Sequence, residues 1–349
     1  MMTEEHIPVI VVSGFLGSGK TTLLNNLLRD PRLSDTAVIV NEFGEIGLDH
    51  LLVESALDEM ILMDNGCLCC SVRGDLVDTL TDLLSRVEKG EIPKFQQVMI
   101  ETTGLADPGP IAQTLASNAD LARRFTLKGI VVTVDGVNGV QSIDSFDEAR
   151  TQAALADLVL LTKADRPEAD IAGVRAAVRA INPGAPVKTI EEGGLDPEVI
   201  LALDPTDVTP LADLPDDHDH DHDHSGESGR HRHGHDHDSV FQTASIVFDA
   251  PIAWRDLARW AEWITAMRGP DILRIKGLVE VEGIPGPVLI HGVQHVFYPS
   301  KILEDWPDSD HRSRVTVIAR DVPERAIRAS FDLFRSQGRG RPPCAHAPR

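Results

Sequence analysis

A glycine-rich stretch near the start of the chain, residues 14–22, limits the possible folds more than any other feature. It reads Gly-Phe-Leu-Gly-Ser-Gly-Lys-Thr-Thr, the G-x-x-x-x-G-K-T pattern of a phosphate-binding loop, or P-loop. A β-branched apolar run precedes it and leucines at helical spacing follow it, so strand, loop and helix come in the required order. This context argues against a glycine-rich turn with a chance lysine. The stretch therefore predicts a nucleoside triphosphate site.

The loop supplies each group that a triphosphate needs. The glycines allow backbone N–H groups to turn inward, and the N-terminus of the following helix favours negative charge. Lys20 is expected to reach the β- and γ-phosphates, and Thr21 offers a hydroxyl to Mg²⁺. The residues predicted to bind the triphosphate are Gly14, Gly17, Ser18, Gly19, Lys20, Thr21 and Thr22.

Apolar runs of strand length alternate with helical patterns through the first 190 residues. The runs begin near residues 7, 36, 60, 98, 129 and 158, and helical spacing covers 76–87 and 168–181. This alternation predicts an α/β fold with the parallel sheet of a P-loop NTPase. Functional residues should then lie at the carboxyl ends of the strands.

The rest of the chain divides into three segments. Residues 191–239 are rich in Pro, Asp, Gly and His and predict a disordered linker. Residues 240–335 carry alternating strand patterns and a tryptophan-bearing amphipathic helix, which predict a small α+β domain of mostly antiparallel strands. We therefore expect a P-loop domain at 1–190, the linker, this second domain, and a tail at 336–349.

Charge and hydropathy exclude several classes of partner. A net charge of −22 argues against nucleic acid and anionic membranes, since phosphate contacts need clustered Lys and Arg. No run of 18 apolar residues occurs, so no membrane span is expected. The acidic N-terminus leads directly into a strand and does not resemble a signal peptide, so we expect a cytoplasmic protein.

Two predicted strands end in residues suited to a nucleotide. Glu101 begins a Glu-Thr-Thr-Gly stretch where P-loop proteins place the carboxylate that handles Mg²⁺, and Gly104 would let backbone approach the γ-phosphate. Lys163 and Asp165 belong to a Thr-Lys-Ala-Asp stretch that resembles the guanine-reading Asn-Lys-x-Asp of GTPases. Asp165 can accept two hydrogen bonds from guanine, which favours GTP over ATP, whereas Thr162 replaces the usual Asn and changes one bridging contact.

Three of the four cysteines, Cys67, Cys69 and Cys70, lie within four residues. Thiolates are soft ligands suited to Zn²⁺, Cu⁺ or cluster iron, and Glu42, Glu45 or a histidine would have to complete a tetrahedral site. Adjacent strand positions face opposite ways, so three thiols on one ion require a turn. Buried core thiols and a redox pair are the alternatives. We expect these thiols one strand away from the P-loop.

A histidine tract in the linker is a second candidate metal-binding segment. Its imidazoles largely alternate with Asp and could form a flexible, low-affinity store for Zn²⁺, Ni²⁺ or Co²⁺. The alternative is a solvated linker with no such role. The residues are His218, His220, His222, His224, His231, His233, His235 and His237.

Taken together, these motifs give the chain a family resemblance over nearly its whole length. The P-loop, Asn41-Glu42-Phe43-Gly44-Glu45, the Cys-x-Cys-Cys stretch, residues 101–108 and the His-rich linker together resemble the CobW-like family of P-loop GTPases. The resemblance implies slow GTP hydrolysis coupled to binding and delivery of a transition metal, most often zinc. By position it implies that Thr21 and Glu101 serve Mg²⁺, that Lys163 and Asp165 hold guanine, and that the three cysteines, with Glu42 as a further ligand, hold the metal.

We therefore interpret the chain as a GTP-switched metallochaperone with GTP, Mg²⁺ and Zn²⁺ or Co²⁺ as its small-molecule partners. This interpretation implies a client metalloprotein. The short docking motif that some eukaryotic zinc-delivering members of the family carry before the P-loop strand is not visible here, so a methionine aminopeptidase client is not assumed. A homodimer is possible. Cobalt delivery for cobalamin synthesis or nitrile hydratase is an alternative within this class. A passive His-rich metal store and a P-loop kinase of a small metabolite are alternatives from other classes.

Overall fold

The computed structural model describes residues 6–41, 61–62, 68–72, 75–204, 239–298 and 300–337. Eight strands within these ranges form one sheet in the first domain. They are β1 (Ile7–Gly14), β2 (Thr36–Asn41), β3 (Ile61–Leu62), β4 (Leu68–Val72), β5 (Gln97–Thr102), β6 (Phe125–Asp135), β7 (Leu158–Thr162) and β8 (Val187–Thr189). Their order is β3-β4-β2-β5-β1-β6-β7-β8, and every neighbouring pair is parallel except β3 with β4. The predicted parallel α/β sheet is confirmed.

Helices cover both faces of this sheet. They are α1 (Lys20–Leu27), α2 (Leu76–Glu88), α3 (Gly109–Ser117), α4 (Ala119–Ala122), α5 (Gly139–Ser145), α6 (Asp147–Leu155), α7 (Ile171–Ile181) and α8 (Glu198–Leu201), with a 3₁₀ turn at Pro31–Leu33. Leucines of α1 pack on one face, while apolar residues of α2, α3, α6 and α7 pack on the other. Because both faces are covered, the central strands are apolar on both sides, which explains their continuous apolar runs.

The segment that follows β8 corrects the predicted linker. Residues 191–204 are ordered, contain α8, and pack on the α1 face of the sheet. Ile200 is fully buried there, and Leu195, Val199 and Leu203 are partly buried. The composition of the whole segment 191–239, which is rich in Pro, Asp, Gly and His, hid these apolar residues near its start. Residues 205–238 of the predicted linker lie outside the described residues.

The second domain is built on an antiparallel sheet, as predicted. Its strands are β9 (Phe241–Phe248), β10 (Ile272–Glu280), β11 (Pro287–Val293), β12 (Val296–Phe297), β13 (Lys301–Ile302) and β14 (Ser313–Arg320), and its helices are α9 (Trp254–Arg268) and α10 (Glu324–Gln337). The order is β12-β11-β10-β14-β9, with β13 paired to β11. Trp260 of α9 is fully buried, meets Phe331 edge-on and donates its indole N–H to Ser330 Oγ (3.1 Å). This apolar core lies between the sheet and its two helices.

The two domains share a core. Leu273, Val293 and Ile318 of the second sheet belong to the apolar cluster on the α6 side of the first sheet. Next to Leu273, Arg274 pairs with Asp157, the residue before β7, and it also donates to the Leu155 carbonyl (2.5 Å). Both charged side chains are almost fully buried. None of the helices within the described ranges is long and apolar enough to cross a membrane.

Candidate functional site

The P-loop begins as β1 ends and continues directly into α1. Gly17 (φ +68°) and Gly19 (φ +95°) adopt left-handed backbone conformations that other residues rarely tolerate. Gly19 is the N-cap of α1, and no side chain caps the helix, so its first N–H groups are available to an anion. Lys20 is buried, and its Nζ donates to the carbonyls of Gly14 (2.7 Å) and Phe15 (3.1 Å). Burial lowers the pKa of Lys20, and the Glu101 carboxylate partly offsets that shift.

The two residues predicted to serve Mg²⁺ are in contact. Thr21 Oγ1 donates to Glu101 Oε1 at 2.6 Å, although 80 residues separate them. The contact follows from the sheet, because β5 is the parallel neighbour of β1 and Glu101 lies opposite Val12. A hydroxyl and a carboxylate side by side are hard oxygen donors of the type that Mg²⁺ prefers.

The loop after β5 lies against the P-loop. A Cβ on Gly104 would come within 2.8 Å of the Leu16 backbone nitrogen, so only glycine allows this approach. Gln152 of α6 donates from Nε2 to the carbonyls of Gly104 (3.1 Å) and Ala106 (3.0 Å). Gln152 is 1% exposed, and its Oε1 is buried without a hydrogen-bond partner. One buried amide therefore fixes two carbonyls of this loop.

The predicted base-reading segment follows β7 and is joined to the P-loop. Thr162 Oγ1 donates to the Ser18 carbonyl at 2.7 Å, so the threonine provides a direct link between the two loops. Lys163 has a left-handed backbone (φ +54°), and its Nζ donates to Asp135 Oδ2 at 2.6 Å. Asp165 is partly exposed next to Arg166. The segment is thus supported from the P-loop and from the end of β6.

Asp135 and Gln152 were not predicted from the sequence. Asp135 ends β6 and is 7% exposed; burial opposes its ionisation, but the hydrogen bonds from Lys163 and nearby backbone amides lower its pKa overall. Its position at a strand end is the same signal that identified Glu101, and could have found it. Gln152 lies inside a helix, and nothing local in the sequence marks it.

The cysteine motif lies near one edge of the sheet. Cys69 and Cys70 occupy successive positions of β4, opposite Val38 and Ile39 of β2, so the backbone there is a strand and not the turn that we expected. β2 and β5 separate β4 from β1, so Cys69 and Cys70 do not lie one strand from the P-loop. Ile39 also lies opposite Ile100 of β5, which places the Cys70 Cα about 10 Å from that of Ile100.

Other predicted ligands fall outside the described residues. These are Glu42, Cys67 and the eight histidines of the linker tract. Where the structure describes side chains, no three His, Cys, Asp or Glu residues form a metal-binding group. The proposed metal site therefore rests on the position of β4 and on the sequence.

The P-loop connects a strand of the parallel sheet to α1, and Thr21 and Glu101 are in contact beside it. This arrangement defines a P-loop nucleotide-binding protein. Residues 8–189 match the family model described as CobW/HypB/UreG, nucleotide-binding domain, and residues 241–335 match the cobalamin synthesis protein cobW C-terminal domain. The chain therefore belongs to the CobW family.

Curated relatives and solved structures resemble the chain over almost its whole length. It is 35% identical over 328 residues to the zinc chaperone YjiA of Escherichia coli, covering 93% of this chain and 98% of the relative. It is 32% identical over 361 residues to the zinc chaperone CobW of Pseudomonas aeruginosa, covering 94% and 91%. The crystal structure of Zn(II)-bound YjiA GTPase from E. coli superposes with a TM-score of 0.70 at 30% identity, covering 95% of this chain and 99% of that one.

Proposed function

We propose that this protein hydrolyses GTP and uses the nucleotide cycle to bind zinc and deliver it to a client metalloprotein in the cytoplasm. The observation that carries the proposal is the 2.6 Å contact between Thr21 and Glu101, because it brings the two side chains proposed to bind Mg²⁺ together beside the P-loop. Zinc is the cargo suggested by the relatives named zinc chaperones, which align over more than nine-tenths of the chain.

The P-loop residues would hold the triphosphate, and the Thr21–Glu101 pair would hold Mg²⁺. Bound there, Mg²⁺ would neutralise phosphate charge. Lys20 would exchange its two carbonyl contacts for phosphate oxygens, and a phosphate would restore the pKa that burial lowers. Gly104 would present its backbone to the γ-phosphate from the loop that Gln152 fixes.

Guanine would be read by the segment that follows β7. Asp165 would accept the two N–H groups of guanine, and the Lys163 stem would lie over the base. Thr162 stands where the guanine-reading motif has Asn and bonds the P-loop backbone, which supports the interpretation of this segment as a base site. Lys163 is held in place by Asp135, whose carboxylate is itself fixed by backbone amides.

Zinc would be held by Cys67, Cys69 and Cys70, with Glu42 as a further ligand. β2 connects the two sites, since it pairs with β4 on one side and with the Glu101 strand on the other. Adjacent strand positions cannot both face one ion. A single ion bound by Cys69 and Cys70 would therefore change the backbone of β4, and this change could be passed through β2 to the nucleotide.

Phosphate release tests the enzymatic part. We expect GTP hydrolysis that requires Mg²⁺, a clear preference for GTP over ATP, and no phosphorylated product. Thr21→Ala should lower kcat about a hundredfold, in the range of losing a group that acts in the transition state. Thr81→Ala is the matched control, because this hydroxyl bonds only the Val77 carbonyl on an exposed helix face. Equal activity of the two variants would refute the role given to Thr21.

Anaerobic zinc titrations test the coupling. GTP and zinc should change each other's affinity by the same factor, because coupling between two binding sites is reciprocal. Equal zinc affinity with GTP, with GDP and without nucleotide would refute the switch. Cys69→Ser should abolish a tight site that deletion of residues 217–238 leaves intact; the reverse pattern would favour a His-rich store.

Competition between metals tests the cargo. Zn²⁺, Co²⁺ and Ni²⁺ compete for the GTP-loaded protein under reducing conditions, and we expect zinc to be retained. Retention of cobalt over zinc would favour delivery to a cobalt protein, since Cys and His ligands suit both ions.

A further inference from the structure

A turn of the second domain is bonded to the loop that lies against the P-loop. Gln294 and His295 connect β11 to β12. Gln294 contacts Asp107 in the segment between β5 and α3, and His295 contacts Gln113 of α3. Gln294 Nε2 donates to Asp107 Oδ2 at 3.0 Å, and its Oε1 accepts from Gln113 Nε2. One side chain of the second domain therefore bonds both the end of the loop and the helix that follows it.

Gln294 is held in a defined position. Its backbone is left-handed (φ +51°), an uncommon conformation for a residue other than glycine, and its N–H donates to the Leu273 carbonyl at 3.0 Å. The residue is 8% exposed. Gly109 makes room for it, since a Cβ there would lie 2.5 Å from Gln294 Nε2. A strained, buried and closely packed residue is a pattern typical of functional positions.

Asp107 belongs to the same loop that approaches the P-loop at Gly104. Its Oδ1 accepts the Gly109 N–H at 2.7 Å, so both of its oxygens are engaged. Three residues earlier, Gly104 lies against the P-loop backbone, and Gln152 fixes the carbonyls of Gly104 and Ala106. The loop is thus fixed at its start by the first domain and at its end by the second.

We propose that Gln294 is a positioning residue for the nucleotide: through Asp107 it holds the 103–108 loop where Gly104 can meet the γ-phosphate. The second domain then senses, and is able to control, whether GTP or GDP is bound. The inference rests on the proposed GTP site.

A purely structural role would have a different signature. If the bond only joined the domains, its loss would weaken every nucleotide equally or lower stability without affecting nucleotide choice. A role in placing Gly104 must instead affect GTP and spare GDP, because GDP has no γ-phosphate.

The test compares nucleotide affinities in charge-swapped variants of the full-length protein. Gln294→Glu places a second carboxylate against Asp107, so the loop should be displaced. The double variant Gln294→Glu with Asp107→Asn restores a donor and an acceptor in exchanged positions, and Gln113 can still donate to the new carboxylate. Thr243→Val is the matched control, because Thr243 Oγ1 donates to the Ile181 carbonyl (2.7 Å), joining the domains away from the loop.

We expect Gln294→Glu to weaken a non-hydrolysable GTP analogue about tenfold, the size of losing a hydrogen bond to a charged group, while GDP changes less than about twofold. The double variant should recover most of the analogue affinity, and Thr243→Val should resemble the wild type. Unchanged analogue affinity, equal loss for both nucleotides, or no recovery in the double variant would overturn the inference. The nucleotide affinities test the role of Gln294 without any measurement of phosphate release. A wild-type protein that binds GTP but does not hydrolyse it would therefore refute only the proposed GTPase activity.

Discussion

The buried histidine next to the interdomain ion pair makes the stability of this protein depend on pH in a predictable way. His291 of β11 is 6% exposed, its ring stacks on Tyr298 at 5.0 Å, and its Nε2 has no hydrogen-bond partner. Burial, with the nearby positive charge of Arg274, lowers the pKa of His291 from 6.5 to about 3. The folded protein therefore keeps this imidazole neutral at pH values where the unfolded chain protonates it.

The sign and size of the effect follow from proton linkage. Between pH 6.5 and pH 3 the unfolded chain binds more protons at this residue than the folded protein does, so stability is lost as pH falls through that window. Each pH unit corresponds to about 1.4 kcal/mol, so lowering the pH to about 5 should destabilise the folded state by about 2 kcal/mol through His291 alone.

Urea unfolding near pH 7.5 and near pH 5 measures how much the free energy of unfolding falls between the two pH values. Trp260, in the core of the second domain, contributes to the fluorescence signal. His291→Phe keeps the stack on Tyr298 and removes the titration, so the pH-induced loss of stability should be about 2 kcal/mol smaller than in the wild type. Ile290→Val is the control in the same strand: it should lower stability by about 1 kcal/mol equally at both pH values. The same pH-induced loss in His291→Phe and wild type would refute the assignment of a neutral, buried histidine.

Three further predictions concern other contacts. Thr162→Val should weaken GTP binding about fivefold, because the variant loses a hydrogen bond to the P-loop backbone that contributes about 1 kcal/mol. Unchanged affinity for a fluorescent GTP analogue would argue against this link. Gly104→Ala should lower kcat about tenfold or more while circular dichroism stays unchanged, since a Cβ would lie 2.8 Å from the P-loop backbone; wild-type phosphate release would contradict the close approach. Arg274→Met should lower the free energy of unfolding, measured with urea, by about 3–5 kcal/mol, because the Asp157 carboxylate stays buried without its partner. Adding Asp157→Leu should recover part of that stability, and no recovery would contradict this reason.

Local sequence patterns were sufficient to predict the parallel sheet and the positions of the P-loop and Glu101. The P-loop, the strand ends at Glu101 and Thr162, and helices α1, α2, α7 and α9 leave a signal within a few residues of sequence, whereas α3, α5 and α6 were not predicted. The contact between Thr21 and Glu101 could also be expected, because neighbouring parallel strands bring their carboxyl ends to the same edge. Residue roles beyond this geometry stay predictions.

Contacts between residues distant in sequence could not be predicted where the side chain lies neither in a motif nor at a strand end. Gln152 meets Gly104 across 48 positions and Gln294 meets Asp107 across 187, and neither glutamine sits in a motif. The order of residues 191–204 was missed for a different reason. Composition was averaged over residues 191–239, where Ile200 and a few partly buried leucines were outnumbered by Pro, Asp, Gly and His. The cysteine motif predicted a turn, because three thiols on one ion need one, but Cys69 and Cys70 lie in the strand β4.

The shared core between the domains has a consequence for how the molecule can be divided. Leu273, Val293 and Ile318 pack into the first domain, so removing the second domain would uncover apolar surface on both parts. The two regions are separate modules in sequence comparison but should unfold as one cooperative unit. We expect chimaeras that exchange second domains between relatives to be stable only when the first domain keeps a matching apolar surface for these three residues and a carboxylate at residue 157 for Arg274.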